Sequence, residues 1–290
     1  MKPILKITIF TLSLLFIQNC TAQDLAVQQK YTAQNKGKLF ISFGGNRGYF
    51  TKSDIHFKGN DFNFTIDGAK AHDRPQGWHI DYVNPAKMTI PQNNYRVGYF
   101  VNNHYSISIG VDHMKYVFSQ NQTANVSGTI NLHASDPGSV YNGTYNNTPI
   151  NFADGTFLKF EHTDGLNYVS TEISRFDDIS TIFSFFKSIN PDKFQINLTE
   201  GVGVGLLYPR TNAVVLGKAE YDEFQIAGYG VSAKAGLNFT FYKHFFIQTE
   251  LKTGYINMPN IRITSDKSEK ASQQFGYFQT IISFGAIFKI

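Results

Sequence analysis

From Asn94 to Phe118 the chain reads NYRVGYFVNNHYSISIGVDHMKYVF. Tyr95, Val97, Tyr99 and Val101 alternate with Asn94, Arg96 and Gly98. After Asn102-Asn103 the alternation resumes, with Tyr105, Ile107, Ile109 and Val111 set against Ser106, Ser108, Gly110 and Asp112. A period of two on both sides of a short turn predicts an antiparallel hairpin. The same period recurs in eight segments, about 38–50, 92–101, 104–118, 156–176, 194–208, 225–241, 245–257 and 273–290. Most of them reach the roughly 9 to 11 residues that a tilted strand needs to cross a bilayer.

The two faces of these strands differ in kind. In the fifth, Ile196, Leu198, Val202, Val204 and Leu206 oppose Asn197, Thr199, Gly201, Gly203 and Gly205. The sixth sets Tyr229, Val231, Ala233, Leu237 and Phe239 against Gly230, Ser232, Lys234, Gly236 and Asn238. The seventh sets Phe245, Ile247, Leu251 and Tyr255 against Gln248, Glu250, Lys252 and Gly254. A polar face so rich in glycine suits a narrow closed lumen filled by side chains, and the apolar face suits lipid. The pattern predicts an all-β fold, a membrane-spanning antiparallel up-and-down barrel of eight strands.

Connections alternate in length. Asn102-Asn103 and Tyr242-Lys243-His244 read as tight turns, while 51–91, 119–155, 209–224 and 258–272 are long and polar. Short periplasmic turns and long extracellular loops are the arrangement of an outer-membrane barrel. In DDISTIFSFFKSINP, Ile179, Ile182, Phe183, Phe186 and Ile189 recur at helical spacing, with Asp177 or Asp178 as cap and Pro191 past the end. This predicts a short periplasmic helix, lying on the membrane or packed into the lower opening. DIHFKGNDFNFTIDG reads as a hairpin turning at Gly59-Asn60-Asp61, too short to span; it is placed in the first external loop, with a ten-stranded barrel as the alternative.

Composition agrees with a chain that covers apolar surroundings. Charged residues make up 17% and aromatics 15%, with 27 Phe and 16 Tyr, against roughly 25% charged residues in ordinary soluble domains. Lys2 and Lys6 precede the apolar run Ile7–Ile17, and Cys20-Thr21-Ala22 offers small residues for a signal peptidase, so 1–22 reads as a cleaved signal peptide. A periplasmic segment 23–37 and a barrel domain 38–290 follow. Cys20 is the sole cysteine, so processing leaves no disulfide or thiolate metal site. The net charge of +4 is spread among both signs and gives no nucleic-acid footprint.

With its leader, its strand pattern and the final strand FGYFQTIISFGAIFKI, the chain resembles bacterial small outer-membrane β-barrel proteins, the OmpA/OmpX-like group. The last strand is similar to the C-terminal signal read by the barrel assembly machinery, although that signal usually closes on an aromatic residue, and here Ile290 ends the chain with Phe288 two places earlier. The resemblance covers about 38–290. It implies the outer membrane of a Gram-negative bacterium, with outer-membrane lipids and lipopolysaccharide as surroundings and the assembly machinery as a partner during insertion. It carries over no catalytic residue, because members share a scaffold rather than an activity.

Candidate chemistry lies at the rim and in the lumen. VDHMKY and FEHTDGLNY bring His113, Lys115, Glu161, His162 and Asp164 toward the external rim of neighbouring strands. There His113 or His162 with Glu161 or Asp164 offers acid and base but no serine nucleophile signature. Asp112, His113, Glu161, His162 and Asp164 are metal-ligand types without ligand spacing, so no metal and no cofactor is expected. In the lumen, Arg96 with Asp112, and Glu250 with Lys234 and Lys252, are expected to tie charges across the interior. Three functions remain: a non-enzymatic barrel whose loops bind an unidentified extracellular ligand or protect the envelope, a lipid A deacylase or acyltransferase, and a narrow channel.

Overall fold

Turns that reverse the chain set the strand ladder. At Asn102 the side-chain carbonyl accepts the backbone N–H groups of His104 (2.8 Å) and Tyr105 (2.7 Å), closing one hairpin. Tyr242 and Lys243 both hold positive φ, 49° and 64°, and His244 N–H donates to Phe241 O. Such a left-handed pair matches the twist of the strands it joins.

The computed structural model describes residues 34–74, 92–183, 190, 192–218 and 221–289, without the side chains of residues 164 and 181. The proposed signal peptide lies outside these residues. Among the described residues, fourteen strands form one sheet: β1 (Lys38–Phe50), β2 (Ser53–Lys58), β3 (Phe62–Ala69), β4 (Ala71–His72), β5 (Asn93–Phe100), β6 (Tyr105–Phe118), β7 (Thr123–Ile130), β8 (Gly143–Asn151), β9 (Leu158–Asp178), β10 (Phe194–Leu207), β11 (Asn212–Val215), β12 (Gly228–Phe241), β13 (Phe245–Arg262) and β14 (Lys270–Lys289). Eight of them close an antiparallel ring in the order β1-β5-β6-β9-β10-β12-β13-β14, with β14 returning to β1 over Lys38↔Lys289 to Phe50↔Tyr277. The ring is an up-and-down barrel, and β2 and β3 stand outside it, which removes the ten-stranded alternative.

The outward face of the ring is a lipid-facing band between two aromatic girdles. Tyr99, Tyr105, Phe245 and Phe288 are exposed below, and Tyr49, Tyr229, Tyr255 and Phe278 above. Between them lie Ile41, Val97, Ile109, Val202, Val231 and Ile282, all exposed. Ten residues separate Phe245 from Tyr255 on β13, about 33 Å along the strand and about 25 Å along the axis at a tilt near 40°, the height of a membrane-spanning apolar band.

Above this band the strands continue. β9 has 21 residues, β13 has 18 and β14 has 20, so each runs roughly 60 to 70 Å at about 3.3 Å per residue, twice what the bilayer needs. β2 takes over from β1 along the upper part of β14 (Lys270↔Lys58 to Gln273↔Ile55), then pairs with β3, which pairs with β7 and β7 with β8. β4 pairs with the end of β6, and β11 with the start of β9. The inner faces of this cap enclose an apolar core that includes Phe57, Phe64, Phe118, Phe152, Phe157 and Phe160. The hairpin expected in the first loop is present as β2 and β3, turning between Lys58 and Phe62, while 119–155, expected as a long polar loop, folds into β7 and β8, because a continued strand edge gives them partners.

Of the expected periplasmic helix, the described part is one 3₁₀ turn, Ser180–Ile182, held by Ser180 N–H on Asp178 Oδ1 (2.8 Å) and Ile196 N–H on Ser180 Oγ (2.8 Å). Residues 184–189 and 191 of that expectation lie outside the described residues.

Candidate functional site

Inward-facing side chains fill the barrel in three layers. The floor is aromatic: Phe40, Phe100, Phe176 and Phe246 meet with Ile287, the rings 5.1 to 6.5 Å apart. These residues come from five strands, so the floor is knitted across the ring.

The middle layer is ionic. Arg96 on β5 lies 2.8 Å from Asp112 on β6 and 2.8 Å from Glu172 on β9. Lys234 on β12 bridges Glu172 (2.9 Å) and Glu250 (2.8 Å), while Lys252 on β13 reaches Asp112 and Glu172, the latter at 2.7 Å. Three cations thus face three anions, and all six side chains are buried. Charges withdrawn from water are tolerable when each is paired and hydrogen-bonded, which this cross-linked arrangement provides. Glycines on β10 make the room. A Cβ on Gly203 would lie 2.7 Å from Glu172 Cγ, and one on Gly201 would lie 2.7 Å from Ser174 Oγ.

Arg96, Asp112, Lys234, Glu250 and Lys252 are brought together, with one change of partner. Lys252 turns away from Glu250, its neighbour on β13, and crosses the lumen to Asp112 and Glu172. Side chains two apart on a strand run parallel, so the opposite wall is the nearer anion source. Sequence reasoning passed over Glu172, although it alternates with Ile173 and shares its face with Ser170 and Ser174. A cavity of about 20 Å³ beneath this layer, lined in part by Ser42, Ser174, Ser283 and Gln248, holds little more than one water.

The roof belongs to the cap. Tyr168 lies under Tyr277, the Lys252 ammonium sits 5.1 Å from the Tyr168 ring, and Tyr116 stacks on Phe275 at 5.0 Å. Tyr116 OH, Ser53 Oγ and Gln273 Nε2 form a buried polar knot that joins β6, β2 and β14. Burial pushes the Tyr116 hydroxyl up to about 12.

Among the described side chains, one member of the expected rim cluster, His162, is turned away from the others. Glu161 and His162 are adjacent on β9 and so point to opposite faces. His162 is fully buried beside Tyr116 and Phe160, with Nδ1 2.9 Å from Thr211 Oγ1. Burial holds its imidazole down to about 3, so it is neutral and enclosed. Glu161 instead pairs with Arg74 at 3.2 Å. His113 is buried against Asn167 (2.8 Å), its partner in the strand register, and Lys115 is buried as well. Strand alternation therefore takes His162 out of the expected rim cluster, since it faces inward beside Tyr116, while His113 and Glu161 stay on the outward face of β6 and β9. The side chain of Asp164 lies outside the described ones.

No family model matches the chain, and no curated protein sequence matches it. Among solved structures it is similar to Ail of Yersinia pestis in complex with the heparin analogue sucrose octasulfate (11% identity, 87% of this chain and 99% of that chain, TM-score 0.30). It is also similar to the outer membrane protein OprG from Pseudomonas aeruginosa (8%, 89% and 99%, TM-score 0.36) and the outer membrane protease OmpT from Escherichia coli (10%, 87% and 96%, TM-score 0.30). These are small outer-membrane β-barrel proteins. The eight-stranded ring itself rests on the strand register given above.

Proposed function

We propose that the protein is an integral outer-membrane barrel without enzymatic turnover, which holds its folded cap outside the cell as a binding or protective surface. One observation carries this reading: the lumen is closed three times over, by the aromatic floor, the ionic layer and the cap core. A pore needs a continuous wet path, and the cavity beside the ionic layer takes about one water. The paired-histidine site that a lipid-modifying reading would use is not available as a unit, because His162 is fully buried and faces inward.

In this reading the girdles sit at the headgroup levels, outer-membrane lipid and lipopolysaccharide surround the band, and the assembly machinery inserts the chain after removal of its leader. The cap offers hydroxyl and amide groups outward, such as Asn63, Thr129 and Thr144, which lie side by side across β3, β7 and β8 and are exposed. Lipid A mass spectrometry separates this function from the lipid-modifying alternative. The acyl pattern of lipid A from cells expressing the protein is expected to equal that of cells without it. A gained or lost acyl chain that depends on His113 or His162 would overturn the non-enzymatic reading.

A further inference from the structure

Glu200 occupies a position that lipid does not favour. It points outward from β10 and is exposed, between Leu198 and Val202. The strand register fixes its height. One line of paired residues runs from Tyr105 in the lower girdle through Arg175, Glu200, Ala235, Leu251 and Thr280 to Arg47, two residues below Tyr49 in the upper girdle. Glu200 is the second of six steps along this line, roughly a third of the way up the apolar band, since each step around a tilted barrel also climbs. A carboxylate on a short stem at that depth cannot reach the headgroups as a long arginine can, and an ionisable group facing hydrocarbon is costly without a partner.

Its surroundings indicate what the partner is. Arg175 lies directly opposite Glu200 on β9 and also faces outward, where its guanidinium is engaged by Asp177 (2.6 Å) below. The seam between β9 and β10 therefore presents a positive and a negative side chain side by side. Such a pair is self-complementary: a two-fold axis along the membrane normal, passing between the two strands, sets Glu200 of each copy against Arg175 of the other. Small residues beside it, Ala233 and Ala235 on β12, are exposed and permit close approach of two walls. At the foot of the same seam Ile182 is 72% exposed.

We propose that this seam is a lateral docking surface for a second copy of the chain, giving a two-fold dimer within the membrane that neutralises Glu200. The proposal rests on the membrane-barrel reading, which a heat-modifiable gel shift of the parent protein in the membrane fraction checks separately. The test is bismaleimide cross-linking in native membranes of Val202→Cys, on the seam, and Ile282→Cys, on the far wall, each against the parent chain, whose sole cysteine, Cys20, lies in the proposed leader. A cross-linked dimer is expected for Val202→Cys and none for Ile282→Cys. In the Val202→Cys background, Glu200→Arg sets like charges together and is expected to abolish the dimer, and adding Arg175→Glu restores it. No dimer from Val202→Cys, equal yields from both walls, or a dimer indifferent to Glu200→Arg would overturn the proposal in a protein that still shows the gel shift.

Discussion

Three cations converge on Glu172: Arg96 at 2.8 Å, Lys252 at 2.7 Å and Lys234 at 2.9 Å. Replacing it by leucine leaves those charges with Asp112 and Glu250 alone. Removing one member of a buried ionic group typically costs about 3–5 kcal/mol because the remaining charges stay desolvated. The urea midpoint of Glu172→Leu in detergent is expected to fall accordingly, and an unchanged midpoint would mean that water already screens this layer. His162 makes a second prediction, in pH. In the fold its imidazole stays neutral down to about 3, whereas the unfolded chain takes up the proton near 6.5. Stability from this residue is thus complete above about pH 6.5 and drains away as the pH falls toward 3, because the unfolded state then binds the extra proton. In thermal melts across that window, His162→Phe is expected to show a shallower fall than the parent. Parallel curves would show that His162 is open to solvent.

At the scale of strands, much was legible. The alternation placed β1 at 38–50, where it is found, and β6 at 104–118 against Tyr105–Phe118. A strand that meets lipid on one side and a crowded lumen on the other writes both contacts into a strict period of two. The cap was less legible. The hairpin of β2 and β3 carries Ile55, Phe57, Phe64 and Ile66 at that period, but β8, Gly143–Asn151, has only Tyr145 and Ile150 turned toward the core. Its neighbours in sequence are Asn, Thr and Gly, so it reads as loop until β7 offers an edge. The ionic layer was legible as residue types on one face; which lysine reaches which carboxylate depends on the barrel's closure, which no single strand records. Gly203 tests the fit of the elements. Gly203→Val would press Glu172 Cγ and Ser232 Oγ, 2.7 and 2.8 Å from an added Cβ, and is expected to cost about 1–3 kcal/mol by overpacking. A urea midpoint equal to the parent's would place that wall away from the charged layer.

For the whole molecule, the barrel and cap act as one wall, since β9, β13 and β14 run unbroken from the lower girdle into the cap core. Cap segments laid on such a frame are expected to resist protease: in intact cells, trypsin leaves Lys58 and Lys70 uncut, the first on β2 where it pairs with β14, the second between β3 and β4, where its backbone N–H donates to Gln122 Oε1 and its carbonyl accepts from Ser119 N–H. Rapid cleavage at either site would show the cap to be loose. The central claim is that the lumen is sealed from end to end, and its most direct measurement is single-channel recording of the refolded protein in planar bilayers. The account predicts no conductance steps over the full voltage range after confirmed insertion. Reproducible, stable steps would contradict it.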